Sequence, residues 1–274
     1  CKESAAATGQ INWEPLHHAF MGRHGSLSTV QLLTVIVALA VLLSGCMGLA
    51  RDGIPSFDMH VEADADYGLI LTTYEDGVQT SNVVPLITFD FSGSGNMDNI
   101  ESFGVLPGDG RDAIVVSAAE GSSIEVDFPL HGMYGVTAFG IGENGVYSNY
   151  TTEIRIEQVI EWYENDTGSP GVLVFESAPG NGWPIPSHFL LNSTVENPSI
   201  IELDGREVDV KWDIVNDEGV CQTAGENIGN GDSFVWKTVH FGPVSTHEIY
   251  LTIEDGQDRI NVHHSLAIVY NQAN

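Results

Sequence analysis

The feature that most limits the fold of this chain is the alternation of apolar and polar side chains over most of its length. The pattern is clearest at residues 87–91, 124–128, 208–214 and 249–253. A period of two is typical of a strand that buries one face, because successive side chains of a strand point to opposite sides. The alternation also predicts that Trp212 lies in a core, since it shares the side of its apolar neighbours.

Turn-forming residues separate these runs, and helical periodicity is scarce. The following pairs are favoured in tight turns: Asp76-Gly77, Asn144-Gly145, Asp204-Gly205, Glu218-Gly219 and Asp255-Gly256. The 30 glycines among 274 residues fit a protein with many loops. Many short strands with frequent turns favour β-sandwiches, so the predicted fold class is all-β.

Two stretches of the chain share a strand pattern at an offset of about 100 residues, the length of one immunoglobulin-like sandwich. The runs at residues 68–71 and 171–174 are the start of this internal repeat. We therefore expect two tandem immunoglobulin-like β-sandwiches, at residues 57–158 and 159–274. The segment 165–171 is dense in turn formers and lies near the expected boundary.

The end of each repeat is similar to a known family. The segment Gly132-Met133-Tyr134-Gly135-Val136-Thr137 resembles the closing strand of PKD domains, and residues 247–256 resemble it more loosely. The segment 212–219 is similar to half of that family's Trp-Asp hallmark. The resemblance covers residues 60–156 and 170–271. It implies immunoglobulin-like sandwiches with adhesive, spacing or ligand-presenting roles rather than catalysis.

The N-terminal part of the sequence has the pattern of an export signal. Residues 1–20 show no periodicity, and we expect them to be upstream read-through or disordered, with Met21 as the true start. An apolar run follows a short cationic stretch, and it ends in Leu43-Ser44-Gly45-Cys46. This ending resembles the lipobox of prokaryotic lipoproteins. The resemblance implies a signal peptide at residues 21–46, a lipid on Cys46 and a linker at 47–56.

Two alternatives to lipidation remain open from the sequence. The segment from Val30 to Ala50 is long enough to cross about 30 Å of hydrocarbon as an uncleaved helix. A pilin-type signal is the other alternative, and the lipobox Cys46 argues against it. Lipidation of Cys46 and the uncleaved helix both place the rest of the chain outside the cell membrane of a prokaryote. We expect the protein to be anchored there.

The charge balance excludes some partners. Nine Lys and Arg face 38 Asp and Glu, which gives a formal net charge of −29. Such a surface repels nucleic acid and anionic lipid headgroups. It fits either divalent-cation binding and attraction to a basic partner, or a solvated acidic surface suited to the salty water of marine or halophilic microbes.

A search for catalytic chemistry finds no familiar constellation. HExxH, GxSxG, Walker A and Rossmann patterns are all missing from the sequence. The three cysteines, Cys1, Cys46 and Cys221, share no metal-ligand spacing. Cys221 is expected to be a small buried hydrophobe. We therefore predict that the protein is not an enzyme and has no catalytic residues.

Histidines and acidic residues are the candidate metal ligands of this sequence. His240, His247, His263 and His264 lie close in sequence. However, adjacent strand residues such as His263 and His264 point to opposite faces, so we predict no zinc site. A structural calcium site is the one cofactor that the sequence leaves open. Its candidate ligands are the carboxylates near one loop: Asp213, Asp217, Glu218 and Asp232.

Aromatic residues near the expected domain boundary have two interpretations. Trp162, Tyr163 and Trp183 form either a platform for glycans or ordinary packing between domains. The sequence as a whole predicts a membrane-anchored surface protein with a binding, adhesion or spacer role. Its partners are the membrane, and other surface proteins or glycans, but no nucleic acid. The alternative is a glycan-active hydrolase whose two facing carboxylates are not recognisable from sequence.

Overall fold

The computed structural model of the protein describes residues 57–199 and 206–271. Within these ranges the chain is all-β, with sheets packed in sandwich-like pairs, which confirms the predicted class. None of the helices described is long and apolar enough to cross a membrane. The segments expected to hold the signal peptide, Cys46 and the linker lie outside the described residues.

Sixteen strands and two single-turn 3-10 helices make up the described ranges. The strands are β1 (Glu62–Ala63), β2 (Tyr67–Glu75), β3 (Val78–Val83), β4 (Leu86–Asp90), β5 (Ile100–Leu106), β6 (Ile114–Ser117), β7 (Ser123–Asp127), β8 (Gly132–Gly142), β9 (Tyr147–Thr167), β10 (Leu173–Glu176), β11 (His188–Glu196), β12 (Val208–Asn216), β13 (Gly219–Ile228), β14 (Ser233–His240), β15 (Thr246–Gly256) and β16 (Ile260–Val269). The 3-10 helices are Met97–Asn99 and Glu143–Gly145.

The first half is a sandwich of two sheets. One sheet is ordered β1-β4-β7, and the other contains β2, β9, β8, β5 and β6. The apolar members of the alternating runs fill the space between them. Ile87 and Phe89 of β4 and Val126 of β7 are each at most 1% exposed. Phe91 stacks on Phe103 with ring centroids 4.6 Å apart, so the period of two correctly predicts which side chains are buried.

Strand β9 belongs to both halves of the structure. Its first part pairs with β8 and its last part with β16, both antiparallel, whereas β2 runs parallel to its middle. The boundary expected at 158/159 therefore falls inside a strand. One hydrophobic cluster lies in the first half and two lie in the second, and one of those two also includes Met133 of β8. The two halves also share this sheet. The division into two domains stays a prediction.

The second half has a different strand order from the first. One of its sheets runs β9-β16-β11-β14 and the other β10-β15-β12-β13. The first strand thus pairs with the last and the second with the last but one, which is the order of a jelly roll. An immunoglobulin-like sandwich instead keeps its last two strands as neighbours. The predicted second immunoglobulin-like sandwich is therefore not confirmed, because strand and turn signals are local and do not specify pairing partners.

Strand β12 shows how the local pattern nevertheless fixes the core. Val208, Val210, Trp212 and Ile214 are each at most 2% exposed, while the residues between them are only partly buried. The indole Nε1 of Trp212 donates a hydrogen bond to Oγ of Ser193 at 2.7 Å. The prediction that Trp212 lies in a core is confirmed.

Candidate functional site on the outer sheet face

The side chains of greatest chemical interest lie on the outer face of the sheet ordered β9-β16-β11-β14. Odd-numbered residues of β9 and β16 point outward there, since their even-numbered neighbours are buried. The strand register places Tyr163 beside His263, and Glu161 beside Ser265. Ser265 in turn lies opposite Asn192 of β11. Residues far apart in sequence therefore form neighbouring columns of one surface.

Glu161 is the centre of this group. Its Oε2 accepts a hydrogen bond from Nε2 of His263 at 2.6 Å, and its Oε1 accepts one from Oγ of Ser265 at 2.7 Å. Tyr163 donates a longer bond to the same carboxylate, at 3.5 Å. These donors hold the carboxylate in one orientation while part of it remains open to solvent. We call Glu161, Tyr163, His263 and Ser265 the outer-face cluster.

Two rings of the outer-face cluster are stacked. The rings of Tyr163 and His263 are nearly parallel, with an interplanar angle of 10° and centroids 4.4 Å apart. Tyr163 is 36% exposed and the His263 side chain is 40% exposed, so both rings remain accessible. Partial burial, followed by the charge of Glu161, raises the pKa of Tyr163. Its phenol therefore stays protonated at neutral pH and can donate a hydrogen bond.

Polar and apolar rows continue across the rest of this sheet face. Exposed Asn192 pairs with exposed Lys237 of β14, and this extends the polar row to the sheet edge. The next row is apolar, and the register aligns Leu190 with Val239 on one side and Ala267 on the other. Leu190 is 40% exposed and Val239 is 46% exposed. A polar and aromatic row thus lies beside an apolar row on an open surface.

The three aromatic residues for which the sequence left open a glycan platform or packing between domains do not lie together. Trp162 points inward, is 6% exposed and packs against Tyr74, with the ring centroids 5.3 Å apart and the rings tilted by 31°. Its Nε1 donates to Oε1 of Glu164 at 2.7 Å, so packing is the correct interpretation for Trp162. Tyr163 points to the outer face, and Trp183 lies 71% exposed between β10 and β11.

The four histidines occupy three separate places. His263 lies on the outer face and His264 is fully buried, as expected for adjacent residues of a strand. His240 and His247 are both buried, and their ring centroids are 5.4 Å apart. Burial lowers the pKa of His240 to about 4 and also lowers the pKa of His247. The sequence grouped all four histidines by their spacing, but only the fold, with β10 paired to β15 and β11 to β14, brings these two together.

The acidic residues considered for calcium lie at different places. Asp213 is on β12 and forms an ion pair with Lys211 at 2.8 Å. Asp217 and Glu218 lie in the turn from β12 to β13, whereas Asp232 lies beyond the opposite end of β13. A strand of this length separates its ends by roughly 30 Å. In residues 57–199 and 206–271, no three His, Cys, Asp or Glu side chains are grouped to hold a metal.

The structure tests the prediction for Cys221 but not the prediction for Cys46. Cys221 is only partly buried, so the prediction of a buried thiol is wrong. The reason is that it lies on β13, the edge strand of its sheet. Cys46 lies outside the described residues, and its lipidation stays a prediction.

Two clefts contain carboxylates. One, of about 470 Å³, is lined by Glu164, Asp166 and Arg259 among others. Oε1 of Glu164 accepts hydrogen bonds from the Trp162 indole and the Gly171 amide, and Asp166 is paired with Arg259 at 3.0 Å. Fixed donors therefore already engage both carboxylates. The second, of about 480 Å³, is lined by acidic residues on the segment that contains β1 and by Tyr150.

Comparisons with known proteins identify no family for this chain. Neither a family model nor a curated protein matches the chain. Among solved structures, it is similar to a carbohydrate-binding module of the β-sandwich superfamily, at 11% identity and a TM-score of 0.30, over 80% of this chain and 94% of the module. It is also similar to a β-glucuronidase of Bacteroides uniformis, at 9% identity and a TM-score of 0.25, over 81% of this chain and 30% of the enzyme.

A third similar structure is the glycan-locus protein SGBP-B of Bacteroides ovatus in complex with a mixed-linkage heptasaccharide. The identity is 9% and the TM-score 0.21, over 74% of this chain and 52% of that one. Several of these proteins bind or process glycans by their descriptions. Likenesses at such TM-scores do not establish a shared fold or a shared ligand.

Proposed function

We propose that the protein is a surface-anchored carbohydrate-binding protein and that the outer-face cluster holds the sugar. The observation that supports this most directly is the carboxylate of Glu161. It is fixed by His263 and Ser265 next to the stacked ring pair, on an open sheet face. A site with aromatic surface and a few oriented polar groups is what small polar ligands require.

The chemistry of a sugar matches this arrangement. One face of a pyranose ring carries C–H groups, which pack on aromatic or aliphatic side chains such as Tyr163 and Leu190. Its hydroxyl groups donate to carboxylates and accept from amides and ammonium groups. Glu161, Asn192 and Lys237 supply these partners along one row. Hydrogen bonds to a charged group are each worth about 1.5–3 kcal/mol.

The ligand that fits best is a neutral glycan. The chain carries a formal charge of −29, and a field of this sign disfavours sulfated or uronic acid polymers. Neutral β-glucans and galactans carry no such penalty. A positively charged glycan would be attracted, but only in a salt-dependent way.

The test is affinity electrophoresis of the full chain in gels that contain neutral or anionic polysaccharides. We expect retardation by a neutral polysaccharide. Tyr163→Ala and Glu161→Gln should each weaken binding by about tenfold or more, as the loss of roughly 1.4 kcal/mol implies. Tyr147→Ala is the matched control, because Tyr147 is an exposed tyrosine on the same strand but outside the cluster.

Two results would contradict the proposal. One is retardation that Tyr163→Ala and Glu161→Gln leave unchanged. The other is the absence of binding to every neutral polysaccharide, which would favour a spacer without a ligand. Thermal unfolding of each variant checks that a loss of binding is not a loss of folding.

We further propose that Cys46 carries a lipid and anchors the protein outside the cell. The lipobox resemblance at residues 43–46 supports this location, which the described residues leave untested. The first half would then act as a spacer between the anchor and the jelly roll. Its two sheets, β1-β4-β7 against β2-β9-β8-β5-β6, with a parallel pairing of β2 to β9, fit an immunoglobulin-like sandwich.

Hydrolysis is the weaker proposal. A glycosidase needs two carboxylic groups facing across the scissile bond, one as an acid and the other as a base or nucleophile. In the cleft beside Trp162, Glu164 accepts an indole and an amide hydrogen bond, and Asp166 is paired with Arg259. Donors of the protein itself therefore already engage both carboxylates of this cleft. We therefore keep binding as the proposed activity.

A further inference from the structure

The sheet that carries the outer-face cluster continues beyond β9. Residues 158–163 of β9 pair with β16 on one side and with β2 on the other, and β3 pairs with β2. Six strands of the described chain, in the order β14-β11-β16-β9-β2-β3, therefore form one continuous face. At the usual spacing between strands, this face is roughly 24 Å wide. Strands β2 and β3 of the first half thus complete a face that belongs mainly to the jelly roll.

One row across this face consists of polar residues only. It contains Glu161 and Ser265 of the outer-face cluster, and the strand register continues it to both edges of the sheet. From β14 to β3, the members of this polar row are Lys237, Asn192, Ser265, Glu161, Thr73 and Ser81. One cation and one carboxylate leave the polar row without net charge. Hydrogen-bonding groups recur in it once per strand, about every 4.8 Å.

The neighbouring row is apolar from one edge of the sheet to the other. From β14 to β3, the members of this apolar row are Val239, Leu190, Ala267, Val159, Leu71 and Val83. All six side chains are exposed or partly buried. An apolar stripe therefore runs beside a polar row along the whole width of the face.

A second protein sheet does not suit this surface. Sheets that pack face to face bury apolar inner faces whose side chains interdigitate. Here the polar row borders the apolar row on one side, and His188 and Glu157 interrupt the row on the other side. A covering sheet would remove these polar groups from water, which costs free energy unless each group finds a partner. The surface instead requires a ligand that is itself apolar along one side and polar along the other.

The twist of the sheet limits the shape of that ligand. Neighbouring strands are rotated by roughly 20–25° relative to each other, so both rows curve across the face. A rigid, flat polysaccharide crystal would touch only part of such a curved stripe, whereas a single chain can follow it. A pyranose unit of an extended chain is close in length to the spacing between strands. Successive units can therefore each contact one apolar and one polar side chain.

We propose that the polar row and the apolar row together bind a single extended chain of a neutral polysaccharide, which crosses the strands from β14 to β3. This inference rests on the proposed function and adds the length and the direction of the ligand. The sugar rings pack on the apolar row, and the hydroxyl groups along one edge of the chain bond to the polar row. The site then extends from Glu161 to Thr73 and Ser81, so strands of both halves contribute to it.

The test is isothermal titration of the full chain with neutral oligosaccharides of increasing length. The probes are cello-, laminari-, manno- and galacto-oligosaccharides, each from the disaccharide to the hexasaccharide. We expect at least one of these series to bind. Its hexasaccharide should bind at least about tenfold more tightly than its disaccharide, because the longer chain contacts more of both rows.

Variants at the β3 edge of the face test the added part of the site. Val83→Ser and Thr73→Ala should each weaken hexasaccharide binding by about fivefold, and this loss should be confined to the longer oligosaccharides. Glu161→Gln should weaken the binding of both short and long oligosaccharides. Val115→Ser is the matched control, because Val83 and Val115 are both 54% exposed and both lie on edge strands.

Three results would contradict the inference in different ways. If no oligosaccharide binds, the proposed function and the extended site both fail. If the disaccharide and the hexasaccharide bind equally and Glu161→Gln weakens both, the proposed function stands and the extended site is wrong. If sedimentation shows a dimer that Val83→Ser dissociates while hexasaccharide binding is unchanged, the apolar row is an interface between copies of this chain. Melting temperatures verify that every variant is folded.

Discussion

His264 allows a quantitative test of the jelly-roll interior. It is fully buried on the inner face of β16. Oγ of Ser193 lies 2.8 Å from Nδ1 of His264 and accepts the indole hydrogen of Trp212. The neutral imidazole can either accept a hydrogen bond from this hydroxyl or donate one to it through Nδ1. A second proton on the ring would place a charge in the core.

The size of the expected effect on the free energy of unfolding follows from the pKa of His264. Burial, and next the charge of His263, lowers the pKa of His264 to about 4, whereas a histidine in an unfolded chain titrates near 6.5. The unfolded state therefore takes up the proton first as the pH falls. The contribution to stability is full above about pH 6.5 and is lost progressively towards pH 4. Between pH 7 and pH 5, this one group removes about 2 kcal/mol from the free energy of unfolding.

The assay is urea unfolding of the wild type and of His264→Gln at pH 7 and pH 5. We expect the wild type to lose about 2 kcal/mol more than the variant over this interval. The many carboxylates titrate equally in both proteins, so they cancel in this comparison. Equal pH dependence in the wild type and His264→Gln would refute the reasoning.

Three further outcomes are expected. Trp212→Ala should lower the free energy of unfolding by about 3–5 kcal/mol in urea titrations, and a loss below about 1 kcal/mol would contradict the buried position. Gly256→Ala should lower the melting temperature much more than Gly225→Ala, because Gly256 has a φ of +94° and a methyl group there would lie 2.0 Å from the Glu207 carbonyl oxygen. Cys46→Ser should release the protein from the membrane fraction; an unprocessed wild-type chain with an intact hydrophobic segment would instead favour the helix anchor.

The site was only partly predictable. The sequence singled out Tyr163 and His263, but it grouped Tyr163 with Trp162 and grouped His263 with other histidines. Glu161 had no distinguishing signal, since it lies 102 residues from His263 and bonds to it only after β9 and β16 pair. Contacts between outward-facing residues of two neighbouring strands can be predicted only if the register is known. The register in turn depends on which strands are neighbours.

The sequence by itself determined the properties that depend on neighbouring residues. The period of two fixed the all-β class, the burial of Trp212 and the opposite directions of His263 and His264, because successive side chains of any strand alternate. The tertiary structure alone decided the pairing: that β9 serves both halves, that the second half is a jelly roll, and that His240 meets His247. Partner choice reflects how distant apolar faces are buried together, and similar alternating strands can satisfy that requirement in more than one order.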